Sequence, residues 1–224
     1  MVTRLSEAAW WIDLGGVNAY LVDDGGTLTL VDAGTPWRGG ALANAVVEAG
    51  FALGDLDRVL VTHYDLDHVG GLPRLDGLDV TIYAGRRDAP LVTGREKPPF
   101  SVPKGVFQRL VGPLLTPPDN DVVPLTGGDT VGSFTVHETP GHTPGHVAYV
   151  SEDLEFAALG DLVRESGGEL KPTPWVVTDD TAVARESIGR LAADAPAFEV
   201  GAMGHGVPFE RGGGDRLADL AGRL

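Results

Sequence analysis

The sequence predicts an α+β fold, and three observations carry that expectation. Short apolar runs ending in Gly or Asp alternate with amphipathic helical stretches. The first strand-like runs follow one another with only turns between them, as in a β-meander. No linker or low-complexity tract divides the 224 residues, so one domain spanning 1–224 is expected.

Taken in order, Ala8–Leu14 and Asn18–Asp23 are strand-like and separated by Gly15-Gly16, and the turn Asp23–Thr27 leads into the apolar run Leu28–Asp32. Ala41–Ala49 has helical spacing, with Gly50 as its stop signal. Arg58–Thr62 and Asp79–Ala84 read as buried strands, and Asp121–Leu125, Ser133–Glu138, His146–Ser151 and Glu155–Leu159 as a second strand series. A helix over Thr178–Ala193 with Thr178 or Asp179 as N-cap, a strand over Glu199–Met203 and a helix over Asp215–Leu224 complete the chain. Two stretches break this rhythm. Arg86–Asp119 holds seven prolines and a short helix near Gly105–Val111, and it has the length of a lid or binding segment. Leu162–Pro174 reads as a shorter loop.

Composition excludes several classes of function. Without Cys there is no disulfide scaffold, thiolate metal site or cysteine nucleophile. No run approaches the roughly 18 apolar residues of a membrane span, and Met1–Asp13 lacks the order of a signal peptide, so a cytoplasmic protein without membrane partners is expected. Acidic residues outnumber basic ones 32 to 17, for a net charge of −15, and only three of the basic residues are Lys. Such a surface suits a cytoplasm at molar salt, an ordinary acidic protein being the alternative. Either way it is a poor partner for nucleic acid.

The buried strand Arg58–Thr62 runs directly into His63-Tyr64-Asp65-Leu66-Asp67-His68-Val69-Gly70-Gly71, which sets four candidate metal ligands within six residues. His63 and Asp65 alternate, so an extended turn would project both the same way, with Asp67 and His68 facing a second position. A solvated polar turn that happens to contain two His is the alternative.

This motif resembles the signature of the metallo-β-lactamase-fold hydrolases, T-H-x-H-x-D-H. The chain reads Thr62-His63-x-Asp65-x-Asp67-His68 and departs from it at Asp65, where the second His is usual. Further matches follow in family order: Leu30-Val31-Asp32-Ala33-Gly34, Thr139-Pro140-Gly141-His142, Leu159-Gly160-Asp161 and Gly204-His205-Gly206. The resemblance implies a four-layer αβ/βα sandwich with two mixed sheets face to face, helices outside and metals at one rim. It implies that His63, Asp65 and His142 bind one metal and Asp67, His68 and His205 a second. Asp161 would bridge them, and Asp32 would support the ligand loop from behind. Two divalent ions about 3.5–4 Å apart would share a hydroxide and hold it against a substrate carbonyl, with Asp67 as the catalytic residue that orients it.

Zinc is the family's usual metal. Asp65 brings the charge of two ions, three carboxylates and one hydroxide to zero and tilts the choice towards Fe or Mn. The expected activity is hydrolysis of a small ester, thioester or lactone. An iron-dependent redox enzyme of the same fold and a degenerate, non-catalytic metal-binding module are the alternatives. His146 is expected to support the site by a hydrogen bond, and Trp37 and Trp175 to pack in the core or at the rim. Arg86, Arg87, Arg95, Lys97, Lys104 and Arg109, opposed only by Asp88 and Glu96, give residues 86–109 a charge of +4. They favour a small anionic substrate under apolar cover from Phe100 and Phe107, a solvated loop being the alternative.

Overall fold

A computed structural model of the chain describes residues 1–98 and 103–224, without the side chains of Pro103 and Phe107. The meander forms as expected, preceded by a short edge strand. It comprises β1 (Val2–Arg4), β2 (Ala9–Asp13), β3 (Asn18–Asp24) and β4 (Thr27–Val31), each antiparallel to the one before. Helix α1 (Gly39–Glu48) then crosses to β5 (Leu56–Val61), which runs parallel to β4. A single helical turn, α2 (Leu66–Val69), precedes the parallel strand β6 (Thr81–Gly85). The proline-rich stretch that follows holds α3 (Ala89–Val92) and α4 (Pro103–Val111), and it leads to β7 (Val122–Leu125). The sequence grouped this last strand with the second series. It instead pairs parallel to β6 and closes the edge of the first, seven-stranded sheet.

The second sheet is built from β8 (Thr130–Val131), β9 (Phe134–Glu138), β10 (Val147–Ser151) and β11 (Phe156–Gly160). The stretch expected as a plain loop is a hairpin, β12 (Val163–Ser166) and β13 (Glu169–Pro172). Helix α5 (Thr181–Asp194) follows, and then β14 (Val200–Met203), parallel to β11, and α6 (Gly213–Ala221). The N-cap of α5 is Asp180 rather than Thr178 or Asp179: its carboxylate accepts from the N–H groups of Ala182 and Val183. The five-stranded order is β14-β11-β10-β9-β8.

Strand periodicity explains the layering. Successive side chains leave a strand on opposite faces, and both faces here are apolar. From β3, Tyr20 and Val22 point between the sheets while Ala19 and Leu21 pack under α1. From β10, Val147 and Tyr149 point between the sheets while Ala148 and Val150 pack under α5 and α6. Helices therefore cover both outer faces of a two-sheet sandwich, in the four-layer αβ/βα order the resemblance implied. Two tyrosines cross between the sheets: Tyr149 Oη donates to Val61 O (2.9 Å) and Tyr20 Oη to Met203 O (2.6 Å). Both acceptors lie at the last residue of a strand that feeds the ligand motifs. Among the described residues, no helix is long and apolar enough to cross a membrane.

Candidate metal centre

Each motif residue sits just beyond a strand end on the same rim of the sandwich. Asp32 follows β4, His63 and Asp65 follow β5, His142 lies in the loop between β9 and β10, Asp161 follows β11, and His205 follows β14. Asp65 keeps the expected extended backbone. The next residues do not. Asp67 and His68 lie on the single turn α2, which rotates them away from His63 and Asp65 towards β14.

The buried carboxylate of Asp32 organises this segment. Its Oδ1 accepts from Thr62 N (2.9 Å), and its Oδ2 accepts from Thr62 Oγ1 and His68 Nδ1 (both 2.8 Å). Asp32 itself has φ +55°, a conformation that L residues rarely adopt and that the surrounding bonds must hold. This is the supporting role the resemblance implied.

The tautomers follow from these partners. His68 Nδ1 faces a carboxylate, His205 Nδ1 faces Gly16 O (2.7 Å), and His63 Nδ1 faces Thr62 Oγ1 (3.0 Å), whose own proton goes to Asp32. All three Nδ1 atoms therefore donate and all three Nε2 atoms present a lone pair. Those lone pairs point at carboxylates, which are also acceptors. His63 Nε2 is 3.2 Å from Asp65 Oδ2, His68 Nε2 is 3.6 Å from Asp161 Oδ1, and His205 Nε2 is 3.3 Å from Asp161 Oδ2 and 3.4 Å from Asp67 Oδ2. His142 Nε2 lies 3.0 Å from Asp65 Oδ2 and 3.5 Å from Asp161 Oδ2. Acceptors facing acceptors at such distances are reconciled by a cation shared between them, a proton on Nε2 in the metal-free chain or a metal ion in its place. Among the described residues, His68 Nε2 and Asp161 Oδ1 are moreover buried without any hydrogen-bond partner. Donors about 2.0–2.2 Å from one ion stand roughly 3.0–3.6 Å from one another, so the residues fit divalent metal.

The donors fall into two groups that could each hold an ion, His63 with His142 and Asp161, and Asp67 with His68 and His205. Asp65 Oδ2 flanks the first group, and Asp161 faces both. Close packing makes this possible: a Cβ on Gly204 would overlap Asp161 Oδ1 and stand 2.6 Å from His68 Cε1, so the chain needs glycine there.

Electrostatics agree with the geometry. Burial lowers the pKa of His63 well below the usual range, with His68 adding to the effect. Burial works against charge on His68 and His205 too, but the carboxylates overcome it and raise them to about 9 and about 11. Burial also opposes ionisation of Asp65 and Asp161. Lys104, His142 and His63 nevertheless hold Asp65 well below the usual carboxylate range, and His68, His205 and His142 do the same for Asp161. The rim is a pocket of fixed negative charge that attracts a cation.

Other expected residues divide. Thr139 Oγ1 bonds His146 Nδ1 (2.8 Å), and His146 Nε2 accepts from the backbone N–H of Asp161 (3.1 Å). With both nitrogens committed, His146 positions Asp161 rather than facing the centre. Trp37 and Trp175 are not core residues; they are 64% and 76% exposed. Of the basic residues in 86–109, Lys104 reaches the centre, its Nζ 2.7 Å from Asp65 Oδ2. Phe100 and the Phe107 side chain lie outside the described residues.

Sequence reasoning missed three positioning residues. Asp88 Oδ2 accepts from Tyr64 N (2.8 Å) and Thr143 Oγ1 (3.0 Å), tying the His63 and His142 loops together. Gln108 donates to Asp65 Oδ1 (2.6 Å). Asn18 donates to Met203 O and Gly206 O, bracketing His205. These contacts span 24 to 188 positions of sequence, and no local motif announces them.

A model of the metallo-beta-lactamase superfamily matches residues 12–202. The probable metallo-hydrolase YflN of Bacillus subtilis is 32% identical over 222 residues, covering 88% of this chain and 83% of its own. A hydroxyacylglutathione hydrolase of Aliivibrio fischeri is 34% identical over 114 residues, which are 50% of this chain and 35% of that enzyme. Among solved structures, TTHA1623 in a di-iron-bound form matches with a TM-score of 0.70 at 26% identity, over 100% of both chains.

Proposed function

Because this chain belongs to the metallo-β-lactamase superfamily, we propose that its rim cluster is the active site of a dinuclear metal-dependent hydrolase for a small ester, thioester or lactone. One observation carries the reading: His63, His68 and His205 each commit Nδ1 to an acceptor and turn Nε2 towards a carboxylate. His63, Asp65 and His142 would hold one ion, Asp67, His68 and His205 the other, and Asp161 would touch both. Bound there, two divalent ions acidify a water and polarise a substrate carbonyl.

The chain's own residues do the rest. Asp67 is the least buried of the candidate carboxylates, its side chain 32% exposed, and it faces the solvent side of the rim. It orients the attacking water and takes its proton on the carboxylate oxygen that is not turned to His205. Asp32, Thr62 and His146 keep the imidazoles and Asp161 in register. The half-length match to a hydroxyacylglutathione hydrolase supports an acyl substrate. The +4 of residues 86–109 in a chain of −15 supports an anionic one.

Donor chemistry guides the metal. With Asp65, each half offers two imidazoles and one carboxylate around a shared Asp161, which suits a pair of like ions. Iron or manganese fits such oxygen-rich sets, and the di-iron form of TTHA1623 supports iron; zinc remains the family's usual ion.

The test is a panel of esters, thioesters and lactones, offered to chain loaded in turn with Zn²⁺, Mn²⁺ or Fe²⁺. Turnover of at least one class is expected, together with a kcat at least about 10²-fold lower for Asp67→Ala. No turnover across the panel with both sites filled would favour a non-catalytic module instead.

A further inference from the structure

We infer that Lys104, carried by α4, competes with the ion at the Asp65 half of the centre, so that filling this half requires α4 to release. The inference rests on the dinuclear reading above and adds a control that the reading does not contain.

Lys104 Nζ lies 2.7 Å from Asp65 Oδ2, 2.6 Å from His142 Nε2 and 3.1 Å from His142 O. An ammonium has three N–H donors, and these acceptors use all of them. One helical turn later Gln108, also buried, donates from Nε2 to Asp65 Oδ1 (2.6 Å) and to Tyr64 O (2.8 Å). Helix α4 thus holds Asp65 by both oxygens, through an i, i+4 pair on one face.

Sharing is possible at Asp65 and impossible at His142. A carboxylate has several lone pairs and can serve an ammonium and a metal together. An imidazole Nε2 has one lone pair, which either accepts from Lys104 or binds an ion. An ion held by His142 therefore displaces the ammonium, and with it one of the two grips of α4. The other half has no such rival: among the described residues, Lys104 forms no ion pair with Asp67 or Asp161. Two halves with the same donor types are made unequal by one internal cation. Position 65 makes this possible, because a carboxylate attracts an ammonium where an imidazole would offer only one neutral acceptor.

The experiment titrates the full chain, stripped with chelator, with Mn²⁺, and reads free Mn²⁺ by electron paramagnetic resonance. In parallel, amide hydrogen exchange is followed across residues 103–111. Lys104→Met keeps the apolar stem and removes the charge. Two unequal steps are expected in the wild type, and in Lys104→Met the weaker step tightens about tenfold while the stronger is unchanged. Exchange in α4 of the wild type should accelerate with the second equivalent and not with the first. If both proteins bind the second ion equally tightly and exchange in α4 does not respond, the competition is refuted while the dinuclear centre stands. If neither protein binds more than one ion, the dinuclear reading fails and this inference falls with it.

Discussion

With Asp rather than His at position 65, the centre gains a third carboxylate besides Asp67 and Asp161, and an ammonium from α4 finds a partner there. Asp65→Ala removes a donor from one half only, so metal content by mass spectrometry is expected to fall from two ions per chain to one. Unchanged content would show that Asp65 is no ligand. Asp88 behaves differently. Buried and, among the described residues, in no ion pair, it is pushed up to about 6, chiefly by burial, with the Asp65 charge adding to the effect and Lys104 opposing it. The folded state therefore binds this proton more tightly than the unfolded chain. The penalty is absent below the ordinary value of 3.8, grows as the pH rises from there to about 6, and is constant above. Between about pH 4.5 and 7.5, the metal-free wild type is expected to lose about 2 kcal/mol relative to Asp88→Asn in urea denaturation. A constant difference between the two proteins would contradict that assignment. Asp88 was not legible as a site residue, since its partners Tyr64 and Thr143 are 24 and 55 positions away.

At the scale of elements, the strands were legible wherever an apolar run ends in a chemical motif, as at β4, β5, β11 and β14. Less legible were elements whose formation depends on partners. The hairpin β12–β13 carries Arg, Glu, Ser and Lys among few apolar residues, and it exists because Leu170 and Val163 pack under α6. Strand β7 is half exposed and takes its place from pairing with β6 rather than from its own pattern. The turn α2 is too short for periodicity to announce, yet it separates Asp67 and His68 from Asp65. Similarly, the loop after β14 is fixed from β3: Asn18 donates to Met203 O (2.9 Å) and Gly206 O (2.8 Å), and its Oδ1 accepts from Trp11 Nε1 (2.8 Å). Asn18→Ala removes two hydrogen bonds from this loop, leaving Met203 O to Tyr20 alone, and should cost about 1–3 kcal/mol in chemical denaturation. It should also weaken ion binding at the His205 half about 10–100-fold, because His205 loses its support. Loss of stability with binding intact would mean that the loop holds His205 without Asn18.

For the molecule as a whole, the sandwich places five strand ends on one rim, and residues 138 positions apart, Asp67 and His205, meet there. The ligand motifs could be read from sequence because each is compact and each follows a strand. Their grouping was implied by the family resemblance alone, because no local pattern tells how two sheets face one another. Charge is divided in the same way. Residues 86–109 carry +4, which leaves −19 on the other 200, while the centre itself concentrates carboxylates against buried imidazoles. The central claim is a pair of ions straddling Asp161, and an anomalous-difference map from crystals of the metal-loaded chain tests it most directly. Two peaks are expected, one among His63, Asp65 and His142 and one among Asp67, His68 and His205, with Asp161 between them. A single peak at saturating metal, or peaks that leave Asp161 unligated, would contradict the account.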